Sequence, residues 1–104
     1  MMNAAPLNDG LKPEERAKII RLIKAVVPDA EIYLYGSRAR GTYHHGSDID
    51  IALKCKGLTR YDAGEVRQVL ESIWLPYGFD VIALDAIGDK LYQAIKDELV
   101  PWIN

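Results

Sequence analysis

Asp48 and Asp50, separated only by Ile49, are the most reactive pair the chain offers, within the stretch YGSRARGTYHHGSDIDIAL at residues 35–53. In a strand, side chains alternate, so both carboxylates share one face, about 6.6 Å apart along the chain. Ile49, Ile51 and Leu53 then share the other. Aspartate is depleted in strands, and two unpaired carboxylates on one face repel. A divalent cation between them removes the conflict. An all-oxygen donor set favours Mg²⁺, which takes one or two carboxylates and completes its shell with water and substrate phosphate.

Gly36 and Ser37 are separated from Asp48 by ten residues. A glycine after a strand lets the backbone turn sharply and approach a ligand closely. Ser37 reads as the N-cap of a short helix, with Arg38, Ala39 and Arg40 in its first turn. The free N–H groups of such a helix start accept phosphate. A phosphate cradle beside a metal-binding carboxylate pair is equipment for phosphoryl or nucleotidyl transfer. Glycine, serine and aspartate also build ordinary turns, and a lone DxD reads better as a loop end. The Gly36–Ser37 pair at this spacing shifts the balance to chemistry. Two other nucleotide signatures are absent: Gly41 is followed by Thr42 without the lysine of a Walker A loop, and Gly36 and Gly41 do not make GxGxxG.

Four helices and three strands must position these groups. Pro13 suits the first position of a helix, and Glu14 and Glu15 suit its positive end. Ile19, Ile20, Ile23, Val26 and Val27 form its apolar stripe, until Pro28 stops it. Arg16, Lys18, Arg21 and Lys24 read as its solvated face. The first strand is Glu31–Tyr35 and the second Asp48–Lys54, with Cys55 at its end. In the intervening loop His44 and His45 read as solvated residues, since neighbours in an extended segment point opposite ways. Either Thr59 with Asp62 or Asp62 with Glu65 makes a capping box. Val66, Val69, Leu70, Ile73 and Trp74 follow at helical spacing as core residues, and Pro76 and Gly78 end that helix.

The third strand, Phe79–Leu84, follows a helical crossover and so runs parallel to the second. That brings Asp80 beside the strand carrying Asp48 and Asp50. Asp85 points the opposite way by period-two counting, and it or Asp89 reads as a helix cap. A last helix is expected from about Gly88 to Val100, with Leu91, Ile95 and Leu99 as its stripe and Pro101 at its end. Trp102 and Ile103 either fold back or mark a partner surface. The fold class is α/β (α+β): a small mixed sheet flanked by helices, in the order α-β-α-β-α-β-α.

Composition narrows the function classes. At 104 residues the chain makes one domain, residues 1–104, with residues 1–10 expected to be a loose leader. Its apolar fraction of 49% and charged fraction of 27% suit a globular protein. No apolar run approaches the ~20 residues of a membrane span, and the N-terminus lacks the regions of a signal peptide. The single cysteine permits no internal disulfide, which fits a cytoplasmic setting. A net charge of −2 argues against non-specific nucleic-acid binding by the whole surface.

The pattern GS, ten residues, DxD resembles the active-site signature of the DNA polymerase β-like nucleotidyltransferases. The small chain and the spelling GSRARG at residues 36–41 resemble the minimal nucleotidyltransferases, MNT proteins often paired with a HEPN-domain protein. The resemblance runs from the first helix to the C-terminus, and its specific part is the GS/DxD core. It implies ATP bound with Mg²⁺ and phosphates on Gly36 and Ser37, with Arg38 or Arg40 on the outer phosphates. It implies Asp48, Asp50 and Asp80 as metal ligands and catalytic carboxylates, Asp80 also taking the proton of an attacking hydroxyl. The chain carries no helical acceptor-binding domain after the core, so the resemblance implies a HEPN-type partner. AMP would go to a tyrosine of that partner and silence it, making this chain an antitoxin. The alternatives are a non-catalytic module that neutralises its partner by contact, and an adenylyltransferase for a small molecule such as an aminoglycoside.

Overall fold

A computed structural model describes residues 8–102. The elements run α1 (Pro13–Val26), β1 (Glu31–Tyr35), α2 (Gly36–Arg40), β2 (Ile49–Lys54), α3 (Arg60–Glu71), β3 (Phe79–Ala83), α4 (Asp89–Ile95) and β4 (Val100–Pro101), with a 3₁₀ turn at Lys96–Glu98. The four strands lie in the order β3-β2-β1-β4. β1 is antiparallel to both β2 and β4, and β2 and β3 are parallel, joined through α3.

The helix starts follow from local chemistry. Pro13 opens α1, and Glu15 Oε1 accepts the Lys12 N–H at 3.0 Å. Thr59 caps α3: its Oγ1 accepts the Asp62 N–H at 3.2 Å, while Asp62 Oδ2 accepts the Thr59 N–H at 2.9 Å. Thr59 with Asp62 is therefore the capping box, and Asp62 with Glu65 is not. One face of the sheet packs Ile32, Leu34, Ile49, Ile51, Leu53, Phe79 and Val81 against the stripes of α1 and α3. The other carries Tyr35 and Ala52, with Leu84 and Ile95 packed on it. The period of two that sends the isoleucines of β2 into the first core sends Asp50 to the second face.

Several expectations need correction. The helix after β3 stops at Ile95, short of Val100, and Val100–Pro101 pair instead with Tyr33 and Leu34 as a fourth strand. Pro101 is tolerated there because β4 is an edge. Asp85 and Asp89 cap nothing: Gly88 is the N-cap of α4, without a side-chain bond. Ser37 is not an N-cap either, because α2 starts one residue earlier, at Gly36, directly off β1. Trp74 is 98% exposed. α3 ends at Glu71, so the helical period that would have buried Trp74 no longer holds there, and Ile73 packs on the core instead.

The expected leader splits. Residues 1–7 lie outside the described residues, as does Ile103, but Asp9 is only 1% exposed. Asp9 Oδ1 accepts the Leu11 N–H and Arg16 Nη2, and Oδ2 accepts Arg16 Nε at 2.7 Å and Trp102 Nε1 at 2.9 Å. Trp102 thus folds back, Arg16 leaves the solvated face to bind Asp9, and Asp9 ties the N-terminal segment to the C-terminal one. Burial works to raise the Asp9 carboxyl, but the hydrogen bonds from Arg16, Trp102 and Leu11 outweigh it and hold it below the usual range.

Candidate active site

β1, β2 and β3 place three polar side chains in a row across the sheet. Tyr35 is the register partner of Asp50, and Asp50 is that of Asp80. Register partners share a face, so Asp80 lies beside Asp50 on the α4 side. The Tyr35 hydroxyl donates to Asp80 Oδ2 at 2.6 Å and so fixes one oxygen of that carboxylate. Burial together with the charges of Asp80, Asp50 and Glu98 pushes the Tyr35 phenol well above its ordinary range, keeping it a donor. Asp48 is exposed and stands just before β2.

Asp50 concentrates the negative charge of the site. Its carboxyl is pushed up to about 6 by burial first, then by the charges of Asp80 and Asp48, with Glu98 adding and Arg40 opposing. A half-buried carboxylate crowded by like charges is short of a cation.

Glycines make room for both carboxylates of the DxD. A Cβ at Gly36 would collide with Asp50 Oδ2, and Gly36 also sits at φ +74°, where a side chain is strained. A Cβ at Gly78 would collide with Asp48 Oδ1. The start of α2 therefore lies against Asp50, and the loop entering β3 against Asp48. That contact puts the cradle and the carboxylates in one site.

The two arginines of α2 part company. Arg38 is 3% exposed; its Nε and Nη2 donate to the Ser47 carbonyl at 3.1 and 2.9 Å, and Nη1 to the Asp9 carbonyl at 2.7 Å. Its guanidinium also lies 5.0 Å and 4.9 Å from the ring centroids of Tyr43 and Tyr77. It holds the residue before Asp48 in place and is spent on that task. Arg40 is exposed, and its Nη1 donates to Glu98 Oε2 at 2.9 Å. Glu98 Oε1 accepts the Gly36 N–H, also at 2.9 Å. His44 and His45 are exposed in their loop.

For a metal the donor chemistry fits: Asp48, Asp50 and Asp80 offer only oxygen, and the raised Asp50 carboxyl marks an uncompensated negative charge. Among the described residues, no three His, Cys, Asp or Glu side chains form a group that could hold a metal ion. Mg²⁺ does not require one, since one or two carboxylates suffice when water and phosphate fill the rest.

Sequence reasoning missed Tyr35, Gly78 and Glu98 as parts of this site. Period-two counting on from Tyr33 puts Tyr35 on the face opposite Ile32 and Leu34, as Asp50 is opposite Ile49 and Ile51, and that signal was readable. Glu98 was hidden inside a helix expected to run on to Val100.

Comparison with known proteins bears on the family and the fold. The family described as "Polymerase beta, Nucleotidyltransferase" matches residues 17–100. A protein adenylyltransferase from Shewanella oneidensis, MntA, is 38% identical over 80 residues, covering 75% of this chain and 57% of its own length. The chain thus spans little more than half of that curated relative. Among solved structures, a chain of a toxin–antitoxin complex crystallised with AMP-PNP superposes with a TM-score of 0.72 at 32% identity, over 86% of this chain and 73% of that one. A chain from a tri-AMPylated Shewanella oneidensis HEPN toxin in complex with its MNT antitoxin gives 0.68 at 26% identity, over 90% and 73%.

Proposed function

The chain belongs to the polymerase β-type nucleotidyltransferase family, and from that premise we propose that it transfers AMP from ATP to a tyrosine hydroxyl of a HEPN-type partner, acting as that partner's antitoxin. The observation that carries this reading is the contact of Gly36 with Asp50, which sets a backbone turn for phosphate against the carboxylate row. The relative named as a protein adenylyltransferase supports the donor and reaction. The AMPylated toxin bound to a similar chain supports the acceptor.

In this reading the Gly36 and Ser37 backbone and the Arg40 guanidinium hold the phosphates, the guanidinium matching phosphate oxygens in shape and charge. Arg38 acts at one remove, fixing the Ser47 carbonyl and with it the approach to Asp48. Asp48, Asp50 and Asp80 would hold Mg²⁺, which when bound neutralises phosphate charge and supplies Lewis-acid polarisation. Asp80 orients the acceptor hydroxyl and accepts its proton, with Tyr35 keeping the carboxylate turned toward the row. The acceptor oxygen forms a bond to the α-phosphorus. The bond from that phosphorus to the oxygen bridging to the β-phosphate breaks, and pyrophosphate leaves. ATP as donor and a single cysteine, Cys55, support a cytoplasmic setting for the reaction.

The test is incubation of this chain with its co-purified partner, ATP and MgCl₂, followed by intact-mass analysis of the partner. Successive additions of AMP, absent with D48A, support transfer. Tight association without any mass change would instead make the chain a binding module that neutralises by contact.

A further inference from the structure

The donors assigned above to phosphate are engaged. Gly36 N–H and Arg40 Nη1 each reach one oxygen of the same carboxylate, that of Glu98, both at 2.9 Å. Glu98 comes from the 3₁₀ turn Lys96–Glu98, 62 residues from Gly36 in sequence. A carboxylate gripped by a backbone N–H and a guanidinium uses the same acceptor chemistry as two oxygens of a phosphate. Its position is costly in isolation. Glu98 adds a fourth negative charge beside Asp48, Asp50 and Asp80, and among the described residues the two donors of the cradle offset that repulsion.

We propose that Glu98 is a built-in competitor for nucleotide: its carboxylate fills the phosphate cradle in the nucleotide-free protein and must swing out before ATP can bind. This rests on the reading of Gly36 and Arg40 as phosphate donors. The side chain has a route out, since it is 22% exposed and its partner Arg40 50% exposed. The fold does not depend on the contact. β4 is held separately, by Val100 and Pro101 paired to β1, and by the Trp102 N–H donating to the Ile32 carbonyl at 2.8 Å. A ligand with few anionic oxygens then loses to Glu98, while a triphosphate offers enough of them to displace it. Nucleotide entry also frees the Lys96–Glu98 turn from α2, so site occupancy is readable at the α4–β4 connection.

A competitor and a positioning residue predict opposite signs. If Glu98 only held Arg40 in place, its removal would weaken nucleotide binding. Isothermal titration of ATP with MgCl₂ into the wild-type chain, E98A and E98Q separates them. The competitor reading expects binding by E98A to be about tenfold tighter or more, since one charged hydrogen bond alone carries about that factor and the exposed ion pair adds to it. E98Q, which keeps the shape and a neutral acceptor, falls between, and it carries the test in the same direction should E98A fail to fold. In ¹⁵N spectra the Gly36 amide of ligand-free E98A moves away from its wild-type position, because its acceptor is gone. Equal or weaker binding by the folded variants, with wild-type binding intact, overturns the competitor and leaves the nucleotide reading standing. No ATP binding by any of the three overturns the nucleotide reading, and the competitor with it.

Discussion

Asp50 is the residue on which site and stability pull against each other. Its carboxyl keeps a proton to about pH 6 in the folded chain, whereas an unfolded aspartate releases it near pH ~4. Between those values the folded state binds more protons, so stability falls as pH rises through the window, and above it the ionised group carries its full penalty. Replacing Asp50 by Asn removes that slope. Thermal melts of D50N and wild type from pH 4 to 7 are expected to diverge with rising pH, D50N being the more stable by a few degrees at pH 7, at about 4–8 °C per kcal/mol for a domain of this size. Added MgCl₂ raises the melting temperature of the wild type and not of D50N. A D50N protein less stable than wild type at pH 7 would refute the assigned charge crowding. The carboxylates themselves were legible in the sequence, because period-two alternation fixes Asp50 opposite to Ile49 and Ile51. The split between Arg38 and Arg40 was not, since both stand in the same short helix and only the Ser47 and Asp9 carbonyls decide which one is consumed.

At the scale of elements, the junction of β1 and α2 is the part with least tolerance. The chain passes from strand to helix at Gly36 with φ +74°, and the missing side chain leaves space for Asp50. Substituting Ala there forces a left-handed backbone on an L-residue and drives a methyl into the carboxylate. G36A is expected to lose about 1–3 kcal/mol of stability and to bind no ATP; chemical denaturation and titration calorimetry check both. Unchanged stability would mean that the turn is not so constrained. β1, β2, α1 and α3 could be read from alternation, helical stripes and the Thr59–Asp62 pair. β4 could not. Leu91, Ile95 and Leu99 keep helical spacing past the point where α4 stops, and a two-residue strand ending in proline has no period of its own. Trp74 failed for a related reason: an apolar residue at helical spacing is buried only while the helix lasts.

Across the whole molecule, Asp9 ties the start of the described chain to its end and to the site. It bonds Arg16 of α1 and Trp102 beyond β4 through its carboxylate, and Arg38 of α2 through its carbonyl. D9A leaves the indole N–H without its acceptor and Arg16 with only the Leu11 carbonyl at 3.4 Å. The expected loss is about 3–5 kcal/mol, the range for breaking a buried ion pair, seen as a lower denaturation midpoint. Because hydrogen bonds lower the Asp9 carboxyl, its contribution is present above the unfolded value near pH ~4 and disappears as pH falls through the folded one. This buckle was not readable in advance, since residues 8–10 have the composition of a loose leader and reveal their role only when Trp102 folds back. The proposed chemistry turns on which phosphorus is attacked. ATP labelled at the α-phosphate and ATP labelled at the γ-phosphate, each supplied with MgCl₂ to the complex of this chain and its partner, decide it. Label on the partner from the α position alone, and none with D48A, is the predicted result; label arriving from the γ position, or surviving D48A, would contradict it.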